Sequence, residues 1–350
     1  RYHKIINYKA TIYGGVRIIK AASMSNIPKK QHYVPQFLLN NWSQGKKKRV
    51  FVFDKKSNKV FSSSIKNIAH ENNFYKDEVL GYENNTELKL SKLEGDAAPV
   101  IKSIISEGTV KNLTDSEHKS LCLFSAVQML RTNNTREFID GFNEILSEKF
   151  QAWGVDPNDE ANNFSNMSKE EVKSSSIDIL NSLPTELVDN FIDKELTLLK
   201  APTNCSFYIS DHPIIMHNHF PRENRGNLGI GLYGIEIYFP ISPKYCLSFL
   251  CAEFVADIKQ TVMNHKAAKT PGAAGQQDIT ELELMVVCFE NKTPNQISSS
   301  NMDFNNSNQV INSTRYIYSA SDDFSLATDM LKINPGIATQ PKVVDGSKVF

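Results

Sequence analysis

The 350 residues carry 39 Lys or Arg against 39 Asp or Glu, a formal net charge of zero, and are 40% hydrophobic. That is a globular composition, long enough for one large core or two modest ones, since single cores stop growing at roughly 250–300 residues. No apolar run approaches the ~20 residues of a membrane span. The five cysteines are odd in number and scattered without a C-x-x-C pair, which excludes a disulfide framework and a cysteine-based zinc site. No secretory apolar stretch occurs in residues 1–23, so a cytoplasmic location is expected.

The charges cancel only globally. Residues 1–53 hold eleven Lys or Arg and no acid, whereas residues 137–195 hold fourteen acids and four bases, a local balance of minus ten. A basic end of this kind suits nucleic acid or another polyanion as a partner. The plainer alternative is that the two regions pack together or are solvated.

Residues 1–23 read as a leader or an expression-derived addition ahead of Met24, residues 24–334 as a single α+β domain, and residues 335–350 as a peripheral tail. Residues 49–54 and the segment from Val60, joined by the polar Lys55-Lys-Ser-Asn-Lys59, predict a β-hairpin in a small N-terminal sheet. After Asn84-Asn85-Thr86, Leu90, Leu93, Ala97, Val100, Ile101 and Ile104 recur at helical steps up to Gly108, a natural stop. Thr114-Asp-Ser-Glu117 is a capping box opening a second helix, with Leu121, Phe124, Val127 and Leu130 facing the core. Helices are predicted over 136–153 and 169–199, with a loop at Pro157, Asn158 and Asn162-Asn163 between them, so the middle of the chain, about 137–199, is helical and acidic. From Cys205 the pattern turns to strands, at 206–209, 214–217, 235–239, 246–250 and 282–289, with a surface loop over 266–277. Strands, then helices, then mainly antiparallel strands predict an α+β fold and not a doubly wound sheet.

Familiar motifs fail. Gly229, Gly231 and Gly234 have dinucleotide-loop spacing but lead into the strand-like Ile235-Glu-Ile-Tyr-Phe239, so no helix N-terminus would meet a pyrophosphate and no nucleotide cofactor is expected. P-loop, H-E-x-x-H and G-x-S-x-G patterns are absent. His217-Asn-His219 places two imidazoles on one side of a strand, a geometry for zinc, with Asp211 or His212 as the nearby third ligands; two histidines of a polar loop is the plainer alternative.

The segment Gln31-His32-Tyr33-Val34-Pro35-Gln36-Phe37-Leu38-Leu39 resembles the opening signature of an uncharacterised, mainly prokaryotic domain-of-unknown-function family. Asn73-Phe74-Tyr75, Glu87, Glu94, the run from Ala126 to Thr132, Ser210-Asp211-His212-Pro213 and Pro240-Ile-Ser-Pro243 look like further landmarks of that family. The resemblance implies one domain from about Gln31 to the tail and directs the choice of residues, but implies no chemistry.

Helical periodicity reaches several of the same residues. Glu87, Leu90, Glu94, Ala97 and Ile101 share one stripe, and Leu121, Phe124, Gln128 and Arg131 share another, so charged groups are drawn toward buried surface. A buried charge is costly unless paired or coordinated. The candidate site is therefore His32, Glu87, Glu94, Gln128, Arg131, Asp211 and His212. Two functions fit it. One is a metal-dependent nuclease or phosphohydrolase, placed in bacterial defence, with Glu87, Glu94 and His32 binding Mg²⁺ or Mn²⁺ and Gln128 and Arg131 meeting a phosphate. A metal-free form uses a Glu as base and His32 as acid. The other is a non-catalytic binding or interaction module in which Glu94 and Arg131 form a helix-to-helix salt bridge and His32 bonds a backbone carbonyl.

Overall fold

The N-terminal hairpin is built where the polar turn stands in the sequence. The computed structural model describes residues 28–77, 85–155, 166–222, 226–267, 279–339 and 343, so the expected leader, the loop around Pro157 to Asn163, residues 268–277 of the expected 266–277 loop and the last seven residues of the expected tail lie outside the described residues. In chain order the elements are β1 (Lys30–His32), α1 (Gln36–Leu39), β2 (Arg49–Asp54), β3 (Lys59–Ser64), β4 (His70–Asn72), α2 (Asn85–Glu107), α3 (Asp115–Leu130), α4 (Asn133–Ala152), α5 (Lys169–Ser182) and α6 (Pro184–Ile192). There follow β5 (Glu195–Lys200), β6 (Ile209–Ser210), β7 (Ile215–Asn218), β8 (Ile235–Pro240), β9 (Tyr245–Leu250), α7 (Ala252–Ala267), α8 (Thr280–Asn291), β10 (Asn295–Gln296), α9 (Ser299–Asn312), β11 (Tyr316–Ser319) and α10 (Ser325–Ile333).

The fold is α+β, with three sheets among the described residues: β1 with β4; the four-stranded order β3-β2-β11-β6; and the five-stranded order β10-β5-β9-β8-β7. Pairing is antiparallel throughout except for β10 beside β5. The N-terminal hairpin is completed from far along the chain, since β11 lies between β2 and β6 with Tyr318 opposite Val52 and Ile209. Trp42, fully buried, ties the same ends by donating its indole N–H to the Phe207 carbonyl at 2.8 Å.

The helices that position the site start and stop where their sequence says. In α2, Leu90, Ala97, Val100, Ile101 and Ile104 are buried. Gly108 ends the helix with φ +67°, and a Cβ there would stand 2.6 Å from the Tyr245 hydroxyl, so only glycine fits. For α3 the capping box is present: Thr114 Oγ1 accepts the Glu117 N–H at 3.3 Å and Glu117 Oε2 accepts the Thr114 N–H at 2.9 Å.

Two expectations need correction. The 169–199 helix is α5 and α6, with Pro184 at the start of the second, and its last part is strand β5, where Leu196 to Leu199 are buried on both faces and give no alternation to read. The strand expected over 282–289 belongs to helix α8, because a short apolar run does not by itself distinguish the two. The C-terminal strands are also interleaved with α7, α9 and α10. Among the described residues no helix is long and apolar enough to cross a membrane.

Candidate functional site

The site begins with the β1–β4 pair, whose register sets His32 opposite His70 with ring centroids 5.1 Å apart. Gln31, on the buried side of β1, accepts the Tyr75 backbone N–H at 2.7 Å and so fixes the chain just after β4. Arg131, the C-cap of α3 and 2% exposed, reaches into this corner. Its Nη1 donates to Glu94 Oε1 at 2.8 Å, its Nη2 to the His32 carbonyl at 2.7 Å and its Nε to the Tyr75 hydroxyl at 3.1 Å. The salt bridge between α2 and α3 is therefore present, and it makes Arg131 a strut joining β1, α2 and the Tyr75 segment.

Three atoms around this strut are left over. His32 Nε2 and Glu87 Oε2 are buried and have no hydrogen-bond partner among the described residues, and neither has His70 Nδ1. Burial, helped by His70, pushes the His32 imidazole down to about 4, against a smaller opposing effect of the Ile65 backbone. Burial likewise pushes the Glu87 carboxyl up, and Glu94 adds to this, while Arg131 opposes it. Arg131 itself stays charged: desolvation works against its charge, but Tyr75 and Glu94 together outweigh it.

A basic groove of about 880 Å³ lies along the same helix. Residues 45–48 form a tight loop closed by the Gln44–Arg49 bridge, with Gly45 at φ +66° and Lys48 at φ +46°, and it carries three consecutive lysines. Lys46, Lys47, Lys48 and Arg49 line the groove with Lys66 and Lys102; Gln36, Asn40 and Asn41 add amides, and no acid lines it. Ala98, at one end of the α2 contribution, is one turn or ~6 Å along the helix from Glu94. Ile65 joins the two places, lining the groove, donating its N–H to the Lys48 carbonyl at 3.1 Å and interacting with His32.

The remaining candidate residues are placed elsewhere. Gln128, fully buried, donates from Nε2 to the Tyr33 carbonyl at 3.0 Å and holds the β1 exit against α3. His212 Nδ1 is 2.8 Å from the Thr132 hydroxyl. Asp211 accepts the N–H of Thr314 at 2.8 Å through Oδ1, and through Oδ2 the N–H groups of Arg315 and Tyr316, both at 2.7 Å, and the Thr314 hydroxyl at 2.9 Å. Its carboxylate is consumed in anchoring the entry to β11. Both oxygens are held by residues 314–316 and the residue is 2% exposed, so this geometry gives Asp211 the role of an anchor and opens it to no cavity shared with Glu94.

Residues 30–323 match the family model described as protein of unknown function (DUF4238). The chain belongs to that family. No curated protein and no solved structure matches it.

Within this DUF4238 chain, sequence reasoning passed over Tyr75 and His70, although both complete the His32 corner. Tyr75 stood in a family landmark, but the signal for His70 exists only in strand pairing. Among the described residues the trio of His, Cys, Asp or Glu with ligand atoms all within 4.8 Å of one another is His217, His219 and Glu236, and not His32, Glu87 and Glu94. The third partner of the two histidines is thus Glu236, directly opposite His217 in the β7–β8 register, and neither Asp211 nor His212. Gly234, at φ +74°, ends a turn into strand β8 and not a helix, as the failed dinucleotide motif required.

Proposed function

We propose that this protein holds a phosphate-bearing polyanion, nucleic acid being the class that fits, in the basic groove and hydrolyses phosphate esters at the His32–Glu87 end of it. The observation that carries this is that His32 Nε2 and Glu87 Oε2 are buried without partners among the described residues, while a cation-lined groove meets helix α2, which carries Glu87, further along at Ala98, Ile101 and Lys102. Buried polar atoms are nearly always paired, and exceptions concentrate where a substrate, ion or proton is to be met. Environment assigns the proton roles in the reverse of the order expected from sequence. A neutral imidazole near pH 7 accepts a proton from the attacking water, and a carboxyl with a raised pKa gives one to the leaving oxygen. Arg131 is committed to protein groups and contributes by holding the His32 carbonyl and Glu94. With that guanidinium already among the carboxylates, the metal-free form is the one that fits.

The test uses the full chain with short RNA and DNA oligonucleotides. Glu87→Gln and His32→Asn are expected to lower cleavage by about 10²–10⁴-fold while leaving binding intact. Lys47→Glu with Lys66→Glu is expected to weaken binding itself. If all six cations of the groove met phosphates of a single strand, log K against log salt would have a slope of about −4. Unchanged cleavage in Glu87→Gln removes the catalytic assignment.

One observation favours a second function. Three nitrogens of Arg131 donate to protein acceptors, which is how an architectural network is wired. On that basis the protein is a binding module: the oligonucleotide binds with the same salt dependence and is never cut.

A further inference from the structure

We propose that His217, His219 and Glu236 form a binding site for a divalent transition-metal ion of the zinc class, built from elements that contribute nothing to the groove or to the Arg131 network. β7 is the edge strand of the five-stranded sheet. His217 and His219 are two residues apart, so they lean to one side of it, and Glu236 on β8 is the cross-strand partner of His217 and stands on that same side.

The donor atoms are gathered closely, with His219 between the other two residues and one of its ring nitrogens toward each. His217 Nε2 is 3.3 Å from His219 Nδ1, and His219 Nε2 is 3.6 Å from Glu236 Oε2. One donor atom from each residue lies within 4.8 Å of the other two. Two ligand atoms each ~2.0–2.1 Å from one tetrahedral zinc are about 3.3–3.4 Å apart, so the set closes on an ion when the exposed His219 ring turns one nitrogen toward both partners and the separations of up to 4.8 Å shorten.

The surroundings are those of a supported ligand set. Tyr238 donates its hydroxyl to Glu236 Oε2 at 2.8 Å, fixing the carboxylate as the outer partners of metal ligands do. Phe304 of α9 packs edge-on to the His217 ring at 4.8 Å and stacks on His219 at 5.8 Å, giving the pair an apolar backing. Glu236 is only 12% exposed and among the described residues its one ion-pair partner is His219, which carries charge only when protonated. A buried carboxylate is costly unless a cation meets it. Two imidazoles and one carboxylate select zinc, copper, nickel or cobalt over the oxygen-seeking Mg²⁺ and Ca²⁺. The 64% exposure of His219 leaves a path for the ion, and three protein ligands leave a coordination position for water or a substrate.

The experiment titrates Zn²⁺ into the full chain against a chromogenic chelator, with thermal unfolding followed in parallel. The wild type is expected to retain one equivalent more than the His217→Ala/His219→Ala double variant and to unfold at a higher temperature with zinc. His219→Ala, whose side chain is exposed and carries little packing, is expected to weaken that equivalent at least tenfold. Tyr238→Phe is expected to weaken it by about 10–100-fold, and excess Mg²⁺ not to displace it. Equal zinc retention and equal thermal shift in wild type and His219→Ala would overturn the assignment, as would a wild type that withholds no zinc from the chelator.

Discussion

Asp211 and Glu87 are both acids drawn toward the interior, and the fold meets them in opposite ways. Asp211 receives three backbone N–H groups and a hydroxyl from residues 314–316, whereas Glu87 Oε2 receives no donor among the described residues. An acid given every donor it can use is holding two pieces of chain together. An acid taken out of water and denied donors weakens the fold, and its persistence is explained by something it does. Gln128 falls between the two: its Nε2 donates to the Tyr33 carbonyl, while its buried Oε1, like His32 Nε2, has no partner among the described residues.

The sharpest break of this comparison is Asp211→Ala. It leaves three backbone donors at the head of β11 without an acceptor, and β11 is the strand that joins β2 to β6. A loss of about 3–5 kcal/mol is expected, read as a lower denaturant midpoint. A loss under 1 kcal/mol would show that Asp211 is no anchor.

A smaller effect is expected from His32. Its folded pKa, about 4, lies below the ordinary 6.5, so between those values the unfolded chain binds more protons and stability falls as pH drops through that window. After allowance for partial exposure the contribution is about 1–2 kcal/mol. It should vanish from the pH profile of His32→Asn, and a profile identical to the wild type would place His32 in a more solvated setting. Glu87 has the opposite sign: its pKa is raised on folding, so its contribution is lost as pH rises from the ordinary carboxyl value of 4.5 up to the folded one.

Local features of the fold were legible and long-range ones were not. The hairpin turn before Lys59, the Thr114–Glu117 capping box and the stop at Gly108 were readable because each is decided by a few adjacent residues. β5 and α8 exchanged identities in the sequence reading because uniformly apolar runs lack a period. The Arg131–Glu94 bridge was readable from two helical stripes, but the donors to Asp211 come from more than 100 residues away. Glu236 likewise becomes a neighbour of His217 only through β7–β8 pairing, and no spacing along the chain points to it. The groove was half legible: residues 46–49 lie within the basic stretch read over residues 1–53, while Lys66 and Lys102 join it only in three dimensions.

The central claim is that the unmatched atoms of His32 and Glu87 mark a working site and not an architectural network. Glu87→Gln tests it most directly, when the free energy of unfolding at pH 7 and the rate of oligonucleotide cleavage are measured on the same preparation. Replacing the unmatched buried carboxyl by an amide should leave stability unchanged or raise it by about 1 kcal/mol, while cleavage falls at least a hundredfold. A variant that loses stability and cuts at the wild-type rate would contradict the account.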